Sequence, residues 1–155
     1  MKPEVVQSTG QASSKWRDTP ASNVLILGET DEWNVNTGKT NYWLAELHKT
    51  TGQGFTMKVD SCARTIAGVH IKNLGEGYAT RKFKVYGAKK KNGPWEILID
   101  DGELVDTTLG YAAYLINFPF EKPVELKYLK FELVSYWGGN GGGLQYFAPA
   151  TSKQH

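Results

Sequence analysis

The most informative segment of this chain is LKYLKFELVSYWGGNGGGLQYFAP, from Leu126 to Pro149. Its first part, Leu126 to Tyr136, alternates apolar and polar side chains, which predicts a half-buried β-strand. A loop with five glycines follows, and a second short strand is predicted from Leu144 to Phe147. This loop carries Trp137 and an asparagine, so we expect it to expose an aromatic ring and an amide at one end of a β-sandwich. Such a rim is typical of a binding site rather than of a catalytic centre.

Short alternating segments recur along the rest of the chain. They predict strands at 24–27, 55–59, 66–72, 81–88, 95–99 and 115–120, and a short helical turn is expected at 43–48. Asn92-Gly93 is the strongest hairpin signal, and the preceding Lys89 to Lys91 are interpreted as a solvated turn. About eight short strands without a long helix predict an all-β sandwich or barrel.

Length and composition indicate one globular domain. The 155 residues divide into a polar N-terminal arm (1–21), a domain (22–150) and a polar tail (151–155). A net charge of +2, from 18 basic and 16 acidic residues, gives no bulk electrostatic reason to expect nucleic-acid binding. The N-terminal residues hold no apolar run of signal-peptide length. The single cysteine, Cys62, excludes an intrachain disulfide, and we predict a reduced, buried thiol.

Several fragments, taken in order, resemble the discoidin or F5/8 type C superfamily. These fragments are Asn23-Val-Leu, TNYWLA (40–45), FTMKVD (55–60), IAGVHIKN (66–73), FKVYGAKKKNGPWEIL (83–98), LKYLKFELVSYW and LQYF. The resemblance covers about residues 22–148. It implies a galactose-binding-like antiparallel jelly-roll β-sandwich, a non-catalytic lectin-like module and an extracellular location. The terminal cysteine pair of many extracellular members is absent, and the acidic residue often found on their last strand is Gln145 here.

In this family the ligand site lies in loops at one end of the sandwich, which correspond to 28–43, 72–81 and 136–143. The resulting candidate ligand residues are Trp33, Asn34, Lys72, Asn73, Arg81, Tyr136, Trp137 and Asn140. Trp137 would stack on a sugar, and Asn140, Asn73 and Lys72 would hydrogen-bond its hydroxyls. Trp43 matches the family's buried tryptophan.

The departures from the family's galactose site weigh against galactose itself. Its first-loop histidine corresponds to Leu44 or Ala45, and its strand arginine to Lys72. A carbohydrate remains the first expectation for the ligand. A protein-interaction or adhesion module using the same rim is one alternative. Peripheral binding to anionic phospholipid, with Trp33 and Trp137 as the exposed apolar spikes, is the other.

The residues also raise the questions of a metal site and of a catalytic site. The oxygen-rich first loop could hold a structural calcium ion, through Glu29, Asp31, Asn34, Asn36 and Thr37. The alternative is ordinary turn chemistry in the same loop. For catalysis, a thiol nucleophile needs a positioned base. No pairing of Cys62 with a histidine is indicated, because His70 is expected to face outward on the next strand. The sequence therefore predicts no enzyme.

Overall fold

The computed structural model describes residues 1–9, 19–28, 31–32, 34, 36–37, 39–45, 52–75, 78–107, 114–137 and 141–151. Within these ranges, nine strands form two antiparallel sheets. The strands are β1 (Glu4–Ser8), β2 (Trp43–Leu44), β3 (Gln53–Lys58), β4 (Arg64–Asn73), β5 (Lys82–Ala88), β6 (Glu96–Glu103), β7 (Leu115–Leu126), β8 (Tyr128–Leu133) and β9 (Gly143–Thr151). One sheet has the order β1-β3-β8-β5-β6 and the other β2-β9-β4-β7. The predicted all-β antiparallel sandwich is confirmed.

The core lies between the two sheets and is centred on aromatic rings. Phe131 of β8 stacks on Phe55 and Phe83, with ring centroids 5.4 and 5.6 Å away. It meets Trp43 and Phe147 edge-on, at 6.1 and 5.7 Å. Offset and edge-to-face pairs of this kind are the favoured aromatic geometries. Trp43 is fully buried, as predicted, and its indole N–H donates to the carbonyl of Thr9 at 3.0 Å.

Most predicted strands are confirmed with shifted ends, but the first elements differ. The apolar run predicted as a strand at 24–27 is preceded and partly replaced by a 3₁₀ helix, Ala21–Leu25. The arm predicted at 1–21 contains β1, which pairs with β3 as an edge strand. The segment predicted as a helical turn begins as β2, because Trp43 and Leu44 pair with Leu144 and Gly143. The rest of that segment lies outside the described residues.

The prediction of a buried cysteine is wrong, because Cys62 is exposed. Alternation ends where β3 ends at Lys58, and Cys62 lies in the turn that leads to β4. In that turn Arg64 donates to the Asp60 carboxylate at 2.8 Å, and the Ser61 N–H bonds the other carboxylate oxygen, also at 2.8 Å. These two hydrogen bonds organise the turn without involving the thiol.

The strand order brings one set of connections together at one end of the sandwich, which we call the rim. There β4 ends at Asn73, β5 begins at Lys82, β6 ends at Glu103, β8 ends at Leu133 and β9 begins at Gly143. The register confirms this placement, since Leu133 pairs with Gln53 and Phe83. The turns at 59–63 and 89–95 lie at the opposite end. Among the described residues, no helix has the length and apolar character needed to cross a membrane.

Candidate functional site

Two predicted site residues, Arg81 and Trp137, contact each other on the rim. The guanidinium carbon of Arg81 lies 4.5 Å from the centre of the Trp137 ring. The backbone positions both residues, because Arg81 N–H bonds the carbonyl of Ser135 at 2.8 Å and Trp137 N–H bonds that of Ala79 at 2.9 Å. The indole N–H of Trp137 donates to the carbonyl of Leu104 at 2.9 Å, which fixes the plane of the ring.

A carboxylate completes this group, which we call the Arg81 cluster (Arg81, Glu103 and Trp137). Arg81 Nε donates to Glu103 Oε2 at 3.0 Å. The side chains of Arg81 and Glu103 are 46% and 42% exposed. An ion pair this exposed contributes little to stability. The cluster therefore presents an aromatic ring, a planar donor and an acceptor to solvent in a fixed arrangement.

Asn73 and Lys72, also predicted to contact ligand, are buried below the rim. The Asn73 amide closes the loop that follows β4. Its Nδ2 donates to the Thr80 carbonyl at 2.8 Å, and its Oδ1 accepts from the N–H groups of Leu74 and Thr80, each at 2.9 Å. Lys72 Nζ donates to the carbonyl of Gly28 at 2.5 Å. In this structure both side chains support loops, and the exposed polar groups of the rim come from other residues.

The remaining predicted ligand residues are distributed unevenly. Tyr136 forms an isolated bridge with Thr80 and packs partly against the core. Asn34 is exposed in the first loop. Trp33 and Asn140 lie outside the described residues, so their predicted roles stay predictions.

The first loop forms a polar cavity of about 610 Å³, lined by Glu32, Asn34, Lys39, Thr40 and Asn41. Its two sides are held by Asn34 N–H bonding the Lys39 carbonyl at 2.8 Å and Glu32 N–H bonding Asn41 Oδ1 at 2.7 Å. Sequence reasoning noticed Asn34 but missed Glu32, Lys39 and Asn41. The only signal was the polar character of residues 28–54, which does not show which side chains converge.

The rim loops are tied to one another by side-chain bonds to backbone. The carboxylate of Asp31 accepts from Gly75 N–H at 2.9 Å, which joins the first loop to the loop after β4. The hydroxyl of Thr107 donates to the Leu74 carbonyl at 2.6 Å and brings in the segment after β6. The first loop, the loop after β4 and the segment after β6 are therefore joined to one another at the rim.

The predicted calcium ligands are engaged in turn chemistry where they are described. Asn34 Oδ1 accepts from the N–H groups of Asn36 and Thr37, at 2.9 and 3.2 Å. Asp31 uses one carboxylate oxygen for Gly75, and Glu29 lies outside the described residues. In the part of the chain that is described, no three His, Cys, Asp or Glu residues group to hold a metal. Calcium also binds amide and backbone carbonyl oxygens, and calcium binding by this loop stays a prediction.

This architecture is that of a galactose-binding-like β-sandwich, and solved structures of the same fold bear this out. A search of solved structures finds allantoicase at TM-score 0.68 and 11% identity, covering 97% of this chain and 41% of that one. The Clostridium perfringens module CpGH89CBM32-5, in complex with GalNAc-β-1,3-galactose, has a TM-score of 0.66 at 11% identity and covers 96% of this chain and 94% of that one. The family 32 carbohydrate-binding module of C. perfringens NanJ, in complex with galactose, has a TM-score of 0.61 at 16% identity, with coverages of 96% and 91%.

These likenesses confirm the resemblance to the discoidin-like galactose-binding fold. The chain spans less than half the length of allantoicase but nearly the full length of the two binding modules. The same fold thus occurs in part of an enzyme and in modules that bind sugars. No protein-family model matches the sequence. No curated protein matches it either.

Proposed function

We propose that this protein is a non-catalytic carbohydrate-binding module whose ligand site lies on the rim. The observation that carries the proposal is the contact between Arg81 and Trp137, with Glu103 bonded to the guanidinium. Both residues were candidates from sequence, and the fold brings them together at the end of the sandwich.

The chemistry of the Arg81 cluster suits a saccharide. A sugar ring offers C–H groups that pack against an aromatic surface and hydroxyls that both donate and accept hydrogen bonds. The indole N–H of Trp137 is used by the Leu104 carbonyl, so Trp137 contributes ring surface. Arg81 has guanidinium N–H groups beyond the one bonded to Glu103, and the carboxylate of Glu103 accepts. Because the Trp137 ring is already fixed by its bond to the Leu104 carbonyl, little conformational entropy of that side chain is lost on binding.

The structural neighbours support the class of ligand. The two binding modules described above are in complex with galactose and with GalNAc-β-1,3-galactose, and the AlyQ family 32 module of the same fold is in complex with 4,5-unsaturated mannuronic acid. Galactose itself is disfavoured for this chain, because Leu44 and Ala45 stand where the family's galactose binders carry a histidine, and both are buried apolar residues here. A different saccharide that uses a guanidinium and a carboxylate is the better expectation.

A glycan-array screen of the wild-type protein, run with calcium and with a chelator, tests the proposal. We expect a defined set of glycans to bind, and Arg81→Gln and Trp137→Ala each to remove that binding. Arg81→Gln is the safer variant for folding, because the Arg81 side chain is half exposed while its structural bonds are made by the backbone. Loss of glycan binding in the presence of the chelator would support the predicted calcium ion.

Lys122→Gln is the matched control for Arg81→Gln, since it removes an exposed positive charge from β7, outside the rim. Glycans of the rim should bind this variant as they bind the wild type. A folded wild-type protein that leaves the array blank would contradict the proposal, as would an unchanged glycan profile in both rim variants.

Exposed apolar side chains at the rim favour one alternative, peripheral binding to anionic phospholipid. Ile26, Leu27, Tyr114 and Leu115 are 75%, 48%, 81% and 47% exposed. Leu27 and Leu115 lie near each other, because Lys72 bonds the Gly28 carbonyl and pairs with Leu115. Co-sedimentation with phosphatidylserine vesicles tests this alternative. Binding that falls in Leu27→Ser with Leu115→Ser, and with added salt, would support it; no sedimentation would exclude it.

A further inference from the structure

The outer face of the five-stranded sheet carries a groove of about 370 Å³ that belongs to none of the predicted sites. Outward-facing residues of β3 and β8 form its floor. Its walls are formed by β1 on one side and by the turn at 89–95 on the other. The side chains that matter for recognition are Gln7, Thr56, Asn92, Trp95, Lys130 and Glu132. This volume falls within the range of about 300–1,000 Å³ that is usual for ligand pockets.

Trp95 lies in the wall of this groove, in a turn that requires a glycine at position 93. Gly93 has a φ of +93°, and a Cβ there would lie 2.9 Å from the Trp95 backbone nitrogen and 3.0 Å from its ring. The Trp95 ring therefore packs closely against the backbone of Gly93, where a larger residue would collide with it. Trp95 also lines a second cavity of about 410 Å³, together with Lys89, Lys90 and Val124. Because the ring stands between two cavities, an extended chain fits this surface better than a single small molecule.

Lys130 lies at the centre of the groove and is held by aromatic rings. On the sheet its register partners are Thr56 on β3 and Tyr86 on β5. Its ammonium lies 4.6 Å from the centre of the Trp95 ring and 4.8 Å from that of the Tyr86 ring. Attraction between a cation and the faces of two rings keeps the ammonium in the groove.

Two lysines of this face are paired with carboxylates, whereas the lysines of the groove are not. Lys82 and Lys84 pair with Asp101 and Asp100, at 3.0 and 3.4 Å. Among the described residues, neither Lys130 nor Lys91, which also lines the groove, takes part in an ion pair. The carboxylate of Glu132 accepts a bond from the Tyr86 hydroxyl at 3.3 Å. Lys91 and Lys130 together outweigh the single carboxylate of Glu132, so the lining side chains leave the groove with a net positive charge.

We propose that this groove is a second ligand site, which binds an acidic glycan chain. A sugar carboxylate or sulfate would meet Lys130 and Lys91, and the C–H face of a sugar ring would pack on the accessible part of Trp95. The amides of Gln7 and Asn92 and the hydroxyl of Thr56 would bond its hydroxyls. The site is independent of the rim: it shares no residue with the Arg81 cluster, and it holds whether or not the rim binds sugar.

Calorimetric titration of three hexasaccharides tests the proposal: a galacturonate oligomer, a heparin-derived oligomer and the neutral maltohexaose. The two acidic probes distinguish carboxylate from sulfate recognition. We expect at least one acidic probe to bind and the neutral probe not to bind. Lys130→Gln, Lys91→Gln and Trp95→Ala should each raise the Kd about tenfold or more, as loss of one charge-assisted or stacking contact does. Added salt should weaken binding.

Lys122→Gln is the control for charge, because it removes an exposed lysine from β7. Arg81→Gln is the control for the rim. Both should bind the acidic probe like the wild type. Lys91 lies exposed in a turn, so Lys91→Gln remains decisive even if another variant folds poorly.

Three results would overturn the proposal. The first is no binding of either acidic probe. The second is acidic-probe binding that Arg81→Gln removes and Lys91→Gln leaves unchanged, which would move the site to the rim. The third is equal binding of maltohexaose that Lys91→Gln lowers and Arg81→Gln leaves unchanged, which would exclude recognition of charge in the groove.

Discussion

The side chain of Gln145 holds the backbone of Gly28 at the edge of the rim. Gln145 Oε1 accepts from Gly28 N–H at 3.0 Å, and its Nε2 donates to the carbonyls of Ile26 and Asn41, each at 3.1 Å. The residue is fully buried. One amide on β9 therefore connects both ends of the first loop to the four-stranded sheet.

Replacing Gln145 by leucine should destabilise the protein, because three backbone groups would lose their partner in the interior. We expect the free energy of unfolding to fall by about 3 kcal/mol, measured by urea denaturation. Gln7→Leu, at an exposed amide, is the control and should change stability little. An unchanged urea midpoint in Gln145→Leu would show that the hydrogen bonds of Gln145 do not contribute to stability.

Asn73→Ala should also reduce stability, by removing the three bonds that close the loop after β4. A loss of about 2 kcal/mol is expected for a buried amide with these partners. Since Asn73 lies below the Arg81 cluster, glycan affinity should fall through displacement of the loop rather than through a lost contact. Asn73→Asp tests this interpretation, because it keeps the acceptor for Leu74 and Thr80 but loses the donor to the Thr80 carbonyl. Stability of Asn73→Asp equal to wild type would argue against the loop-closing role.

The turn between β3 and β4 should make stability depend on acid pH. The hydrogen bond from Arg64, and then that from Ser61 N–H, lower the pKa of Asp60 below its usual value of 3.8. A group with a lowered folded pKa stabilises the native state above its unfolded pKa, and this stabilisation is lost as pH falls through the folded pKa. Asp60→Asn should therefore be less stable than wild type near neutral pH, and the difference should shrink below about pH 4.

Urea denaturation at a series of pH values measures this effect. Arg64→Gln is the companion variant and should shrink the pH-dependent part in the same direction. A difference between wild type and Asp60→Asn that stays constant from neutral to acid pH would contradict the assignment.

Gly93→Ala should destabilise the turn that carries Trp95. The φ of +93° is costly for a residue with a Cβ, and that Cβ would also press on Trp95. We expect a loss of about 2 kcal/mol with a change in tryptophan fluorescence. Gly52→Ala is a matched control, since Gly52 has a φ of +71° but no heavy atom within 4 Å of the added Cβ. Equal losses in the two variants would show that the contact with Trp95 adds nothing.

Much of the fold could be read from alternation along the chain. Residues 129–133 and 55–57 alternate in the sequence, and their buried apolar members lie side by side on the inner face of the same sheet. β1 was not predicted, because a short edge strand pairs on one side only and its sequence does not need to alternate between apolar and polar residues. Cys62 was placed wrongly because burial was inferred from residue type, whereas the turn that holds it projects beyond the sheet.

The candidate site was only partly accessible to the same reasoning. Arg81 and Trp137 were identified individually, but Glu103 was not among the predicted ligand residues. Asn73 and Lys72 were predicted to contact ligand, but their polar atoms are hydrogen-bonded to backbone groups of the loops. Sequence showed which polar side chains lie in loops but not whether each one meets solvent or a backbone group.

Alternation along the chain predicted an all-β sandwich or barrel and most of its strands, because period-two patterning acts locally along each strand. The resemblance to the discoidin superfamily added the burial of Trp43. The contacts of Arg81 with Trp137 and Glu103, of Gln145 with Gly28, and of Lys130 with Tyr86 and Trp95 follow only from the folded structure. These contacts join residues far apart in the chain, and their geometry depends on strand register and loop path. Both are set by the packing of the whole sandwich rather than by any one segment.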